Sequence, residues 1–262
     1  MNIFGQEALL SLIDSKTRDT FPRSLILLGA RGSGKHLISK YISNKLNHSL
    51  VDITDKLDLE FITSLYLKPE PNIYIIEMKK LTIREQNMIL KFLEEPLKNS
   101  YIILLAETKN QMLDTIVNRC LLWNLKPYSK ALLSELTTNQ QILDIAKTPG
   151  MLIELEEVNI EDVILLCNKI LQSIDKATIP NALTITDKLA FKQEKDKINI
   201  DVFAEVLLYQ SNLYVKESQE PRYLILYKHI NQWYNERNVP NVNQRYLFDR
   251  FILNVQKELR NL

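Results

Sequence analysis

The sequence predicts an α/β domain built on a doubly wound parallel sheet, then a small helical segment, then an all-α C-terminal domain. Three observations carry that prediction. Up to Leu125, five short and almost wholly apolar runs alternate with amphipathic helical patterns. Beyond Pro127 the strand signal stops. Three of the chain's five glycines fall within the six residues Gly29–Gly34, between a strand pattern and a helix pattern. Strand–helix alternation implies parallel strands joined by crossover helices, and such strands are covered on both faces and so read as continuous apolar runs.

The runs that predict strands are Ser24–Leu28, Leu50–Ile53, Ile73–Ile76, Tyr101–Leu105 and Leu121–Leu125. A helix is expected to start near Lys35 and to bury Leu37, Ile38, Tyr41 and Ile42. Another is expected from Thr82, where Thr82 and Glu85 have capping-box spacing, and Pro96 is expected to end it. Residues 128–157 read as short helices around the turn Thr148-Pro149-Gly150. From Asn159 onward only helices are expected: Ile160–Ile174, Asp201–Lys216, Pro221–Tyr234 and Val242–Leu259. The charged run Lys188–Lys197 reads as a solvated helix end or loop. The expected division is 1–126 for the α/β core, 127–157 for a small helical segment and 158–262 for an all-helical domain.

Bulk composition narrows the function classes. At 262 residues the chain has room for two or three modest domains, and 45% hydrophobic with 25% charged residues is ordinary for a soluble globular protein. The 33 basic and 32 acidic residues leave a formal charge of +1. A protein gripping nucleic acid alone through a broad basic face is more lopsided, so any DNA contact is expected to be shared with partners. No apolar run approaches the ~20 residues needed to span a bilayer, and no signal-peptide pattern follows Met1. Cys120 and Cys167 are expected to be free thiols in a cytoplasmic protein. Two cysteines cannot supply a four-thiolate zinc site, and the three histidines are far apart in sequence, so no metal cluster is expected.

The chemistry gathers at Gly29-Ala30-Arg31-Gly32-Ser33-Gly34-Lys35-His36. In a strand-to-helix setting, G-x-x-x-x-G-K is a phosphate-binding loop (P-loop). Its backbone N–H groups turn toward phosphate oxygens, the helix N-terminus adds partial positive charge, and Lys35 reaches the outer phosphates. A loop of this kind that hydrolyses nucleotide carries Ser or Thr after the lysine, to ligate Mg²⁺. Here that residue is His36, a poor ligand for a hard, oxygen-seeking ion. The second magnesium contact is expected from an Asp at the end of the strand Ile73–Ile76. If Glu77 occupies that place, Met78 stands where the catalytic Glu belongs. If Glu77 is the catalytic Glu, the metal-binding Asp has become Ile76, and the spacing to Leu81-Thr82 favours this second register. Either way one acid is missing. Hydrolysis by this chain is therefore not expected, since phosphoryl transfer depends on positioning and charge neutralisation. Nucleotide affinity is expected to be weak or absent, with no cofactor required.

Several further stretches carry a resemblance. Ile3-Phe4-Gly5-Gln6 resembles an I-x-G-Q element, and Asn87 through Pro96 (NMILKFLEEP) is similar to an N-A-L-L-K-x-L-E-E-P helix. Thr115-Ile116-Val117-Asn118-Arg119-Cys120 resembles T-I-x-S-R-C, Thr148-Pro149-Gly150 a G-S-P-G turn, and Asn241-Val242-Asn243 with Leu247 an N-V-N-x-x-L helix start. Together, in this order, they resemble bacterial clamp-loader subunits of the AAA+ class, specifically the δ′ type of DNA polymerase III. The resemblance implies a non-catalytic member of a ring with ATPase subunits of γ/τ type and a δ-type subunit. That ring opens the sliding clamp and closes it around primer-template DNA, and polymerase activity belongs to the holoenzyme. It also implies that Arg119 reaches in trans into a neighbour's ATP site and compensates γ-phosphate charge; without the motif, Arg119 reads as a surface arginine that pairs with a local carboxylate. The chain departs from the pattern in four respects. Ala106-Glu107-Thr108, where the family's nucleotide-sensing polar residues lie, offers no assignable sensor. Asn118 stands in place of the motif serine, no four-cysteine zinc module is present, and residues 128–157 are brief for a lid.

Two other readings compete. An active ATPase, either the loader's motor subunit or a related DNA-remodelling protein, needs a hydroxyl after Lys35 and an Asp-Glu pair. A small-molecule P-loop kinase leaves the long helical C-terminus and the L-E-E-P helix without a role. Glu94 and Glu95 are expected to be solvated or interfacial, Trp123 to lie in the core of the last strand, and Trp233 to pack among the C-terminal helices.

Overall fold

The computed structural model describes residues 3–67, 70–95, 97, 99–174, 176, 178, 184, 186–190, 198–218, 220–237, 239 and 242–260. The chain divides into two compact units, Met1–Leu136 with Lys147–Gly150 and Thr137–Ala146 with Met151–Leu262.

In the first unit the order is α1 (Glu7–Ser15), β1 (Ser24–Leu28), α2 (Lys35–Leu46), β2 (Ser49–Asp52), α3 (Leu59–Leu67), β3 (Asn72–Glu77), α4 (Ile83–Glu94), β4 (Tyr101–Ala106), α5 (Asp114–Val117), β5 (Leu121–Asn124) and α6 (Lys130–Leu133). The five strands form one parallel sheet in the order β2-β3-β4-β1-β5. Each apolar run therefore became a strand, within a residue or two of its predicted ends.

Alternate residues of the central strands go to opposite faces. Ile26, Tyr74, Ile76, Ile102 and Leu104 pack with Ile62, Ile89, Phe92 and Ile116 on one side. Leu25, Leu27, Ile73, Ile75, Ile103 and Leu105 pack with Ile13, Ile38, Ile42 and Leu46 on the other. Burying one Leu or Ile side chain contributes ~1.5–3 kcal/mol, so these two layers dominate the unit's stability. The edge strands are less covered than their apolar sequences imply: Leu121 of β5 is 49% exposed, because an edge strand has a neighbour on one side only.

Helix α2 corrects one expectation. Its buried face is Ile38, Ser39, Ile42, Ser43 and Leu46, while Leu37 is 46% exposed and Tyr41 is half-buried, its hydroxyl bonded to Asp14. The two small serines let the helix turn that side onto the sheet, which rotates Leu37 outward. Helix α4 has the expected cap. Thr82 Oγ1 accepts from Glu85 N at 3.2 Å, and Glu85 Oε2 accepts from Thr82 N at 2.7 Å. Pro96 lies outside the described residues.

The second unit contains α7 (Gln140–Ile145), α9 (Ile160–Ser173), α10 (Ile200–Glu217), α11 (Pro221–Glu236) and α12 (Gln244–Leu259); α8 (Pro149–Glu156) begins in the first unit. Pro221 occupies the first turn of α11, where its missing N–H costs nothing. Asn243 caps α12 by accepting from Tyr246 N, so this helix starts two residues later than expected; Asn241 lies outside the described residues. Phe203, Trp233, Phe248 and Phe251 form an aromatic core with ring centroids 5.2–6.4 Å apart. The helical reading missed one feature: Leu189–Ala190 (β6) and Ile198–Asn199 (β7) pair in parallel. Two-residue strands carry no periodicity that a sequence window can detect. Of the charged run 188–197, residues 191–197 lie outside the described residues.

Candidate phosphate site and the Arg119 loop

The glycine loop lies at the carboxyl end of β1, between β4 and β5, where the strand order reverses and a crevice opens in sheets of this type. Gly34 caps α2 at φ +90, a conformation that a side chain would strain. The loop's carbonyl oxygens are accounted for one by one. Lys35 Nζ donates to Gly29 O at 2.6 Å and to Ala30 O at 2.9 Å. Thr148 Oγ1 donates to Arg31 O at 2.8 Å, and Gly150 N to Gly32 O at 2.9 Å. The Tyr128 hydroxyl lies 3.0 Å from Ser33 O. Five consecutive carbonyls are thus engaged.

Gly150 approaches so closely that a Cβ there would stand 2.6 Å from Gly32 Cα. The sequence reading placed Thr148-Pro149-Gly150 in a turn but could not see it resting on the phosphate loop. Lys35 is largely buried, and desolvation pushes its ammonium below the ordinary value.

His36 sits on the first turn of α2, 54% exposed, with Nε2 3.2 Å from Glu77 Oε1. Glu77 ends β3 and its other oxygen is 3.1 Å from Lys80 Nζ. The hydrogen bond with His36, helped by Lys80, holds the Glu77 carboxyl down at about 2, against an opposing push from burial. Ile76, one residue earlier, is fully buried on the opposite face of β3 and offers no ligand. Asp52, at the carboxyl end of β2, joins this group. Its Oδ1 accepts from Thr54 N and Thr54 Oγ1 at 2.9 and 2.6 Å, and Thr54 Oγ1 in turn accepts from Glu77 N at 2.9 Å. Donor atoms of His36, Asp52 and Glu77 all lie within 4.8 Å of one another. The sequence reading found no metal cluster because these three residues come from three elements and only one is a histidine. The signal that could have found Asp52 is its place at a strand's carboxyl end beside the loop.

Arg119 follows α5. Its Nε and Nη2 lie 2.7 and 2.6 Å from Glu94 Oε1, at the end of α4, and Nη1 donates to Thr115 O at 2.8 Å. The side chain stays 37% exposed. Glu94, expected to be solvated or interfacial, is thus the arginine's local partner, the pairing that the alternative reading of Arg119 expects, and the L-E-E-P stretch and the R-C stretch meet through this ion pair. Cys120 and Cys167 are free, and burial pushes the Cys120 thiol up to about 12 and Cys167 well above its ordinary value. Neither is a nucleophile near neutral pH.

With this geometry in hand, comparison with known proteins adds a family resemblance. Residues 51–129 match the family model described as "DNA polymerase III, delta subunit". The DNA polymerase III subunit delta' of Haemophilus influenzae is 42% identical over 53 residues, which are 20% of this chain and 16% of that protein. The same subunit of Bacillus subtilis is 40% identical over 55 residues, 21% of this chain and 17% of that one. Over 53–55 residues the chain is similar to these two bacterial δ′ subunits. The family-model match includes Glu77, Glu94 and Arg119 but not the glycine loop, and the stretches shared with the curated relatives span about a sixth of each of them.

Among solved structures, the RuvB Holliday junction branch migration motor of Thermotoga maritima aligns with a TM-score of 0.52 at 15% identity, covering 88% of this chain and 77% of that one. At that identity the likeness concerns the fold: a parallel five-stranded sheet with flanking helices, followed by a helical region. Among the described residues no helix is long and apolar enough to cross a membrane.

Proposed function

We propose that this chain is a δ′-type subunit of a replicative clamp loader, one that does not hydrolyse ATP and supplies Arg119 to the ATP site of a neighbouring ATPase subunit. The observation that carries the reading is Arg119 itself. It lies inside residues 51–129, which match the DNA polymerase III delta-subunit model, on the surface, oriented by Glu94 and Thr115 O. A guanidinium held in this way keeps donors available for a phosphate, and its rigid fork suits that partner better than an ammonium does.

Two features support the non-catalytic half of the reading. His36 stands where a magnesium-binding hydroxyl is needed, and Ile76 is apolar and buried. Without magnesium, most of the charge on a bound triphosphate goes uncompensated, so nucleotide binding is weak. On this proposal the core (1–126), lid (127–157) and collar (158–262) assemble in the cytoplasm with γ/τ-type and δ-type subunits. Contact with the sliding clamp and primer-template DNA is then made through the assembly.

Steady-state ATP hydrolysis by the purified chain tests the non-catalytic half. We expect no turnover above background; turnover that Lys35→Ala abolishes would overturn it. In calorimetry, tight magnesium-dependent ATP binding would contradict the predicted weak affinity.

A further inference from the structure

The rim of the phosphate site holds donors that the proposed function does not use. His36, Asp52 and Glu77 project from the start of α2, the end of β2 and the end of β3. They bring one imidazole nitrogen and two carboxylate oxygens together within 4.8 Å. From this we propose that His36, Asp52 and Glu77 form a binding site for a divalent first-row transition ion of the zinc or cobalt class, distinct in chemistry from a magnesium site.

Geometry and ligand type support the assignment. Ligands around one zinc-sized ion stand about 3.0–3.5 Å apart, given metal–ligand distances of about 2.0–2.2 Å. His36 Nε2 and Glu77 Oε1, at 3.2 Å, are already at that spacing, and Asp52 brings a carboxylate oxygen within 4.8 Å of both. An imidazole nitrogen with two carboxylates suits borderline ions, whereas magnesium prefers an all-oxygen shell. Three protein ligands leave positions for water, which fits the exposed rim where His36 sits.

The supporting hydrogen bonds are also in place. Thr54 donates twice to Asp52 Oδ1 and accepts from Glu77 N, so one residue fixes the bearing of two ligands. Lys80, 3.1 Å from Glu77 Oε2, is the cation that balances this carboxylate when no ion is bound, and a metal has to compete with it.

That competition gives the test an arm of opposite sign. The full-length chain is titrated with Co²⁺ alone, followed by its visible absorption, and then challenged with Zn²⁺ and with Mg²⁺. One equivalent of Co²⁺ is expected to bind, with Zn²⁺ displacing it and equimolar Mg²⁺ leaving it in place. His36→Ala and Asp52→Asn are each expected to weaken binding about tenfold or more, at least the loss usual for an outer-shell partner. Both residues are exposed, and Asp52→Asn keeps the oxygen that Thr54 bonds. Lys80→Ala is expected to tighten binding, a gain that a folding defect would not produce. Absence of a cobalt spectrum, equal affinity in wild type and His36→Ala, displacement by equimolar Mg²⁺, or weaker binding in Lys80→Ala would each overturn the proposal.

Discussion

Arg119 and Glu94 make an ion pair that is well formed and still exposed, and exposure limits what it adds to folding. Pairs in water contribute ~0–1 kcal/mol, because solvent screens them and ordering two long side chains costs entropy. Arg119→Ala and Glu94→Ala should therefore each lower the melting temperature only slightly; a loss of several kcal/mol would mean the pair is structural rather than functional. Glu77 makes a different prediction. Its carboxyl is depressed in the folded chain from 4.5 to about 2, chiefly by the bond to His36. The stability this adds is complete above about pH 4.5 and disappears as pH falls toward 2, because the unfolded chain takes up the proton first. Acid unfolding of Glu77→Gln should be shallower than wild type across that window, and identical curves would refute the linkage. At this scale the sequence was partly legible. The glycines, Lys35, His36 and Arg119 are named by local motifs. Glu94's hold on Arg119 depends on which chain segments become neighbours, so no local pattern announces it; Thr54's on Asp52 is local in sequence but becomes meaningful only beside Glu77.

The elements were the most legible level. Short runs such as Ile73–Ile76 and Tyr101–Leu105 have few options other than buried parallel strands, and the Thr82–Glu85 spacing fixed the start of α4. Thr82→Ala should cost about 1 kcal/mol, the usual worth of such a cap, measured by denaturant unfolding of the full chain. What the sequence concealed was rotation and long-range docking. Leu37 reads as core by periodicity, yet the two serines of α2 turn it outward. The segment 148–150 reads as a turn, yet it ties down Arg31 O and Gly32 O across more than a hundred residues. Gly150→Ala would push a methyl against Gly32 backbone that has no flexible side chain to yield. We expect a loss of about 1–3 kcal/mol from the forced backbone shift, read as a lowered denaturation midpoint. An unchanged midpoint would mean the turn does not rest on the loop in solution.

For the whole molecule, the α/β part carries both candidate sites, and the helical part carries an aromatic core of its own. Phe203 is fully buried between Trp233 and Phe248, so Phe203→Ala should destabilise the helical unit by roughly 3–5 kcal/mol. If the helices serve as the oligomerisation platform, the same variant should fail to assemble while the α/β unit keeps its fold. Fold class was readable because strand–helix alternation constrains topology strongly. A subunit's role in an assembly is less readable, because on the proposed function the decisive residue would act on a phosphate held by another chain.

The central claim is that Arg119 works on a neighbour's nucleotide. The direct measurement is the ATPase rate of a clamp loader reconstituted with wild-type chain or with Arg119→Ala, assembly being checked by size-exclusion chromatography. The account predicts an intact complex whose ATPase rate falls by about tenfold or more, modest beside the effect of arginine fingers in other phosphoryl-transfer enzymes. An intact complex with an unchanged rate would contradict it.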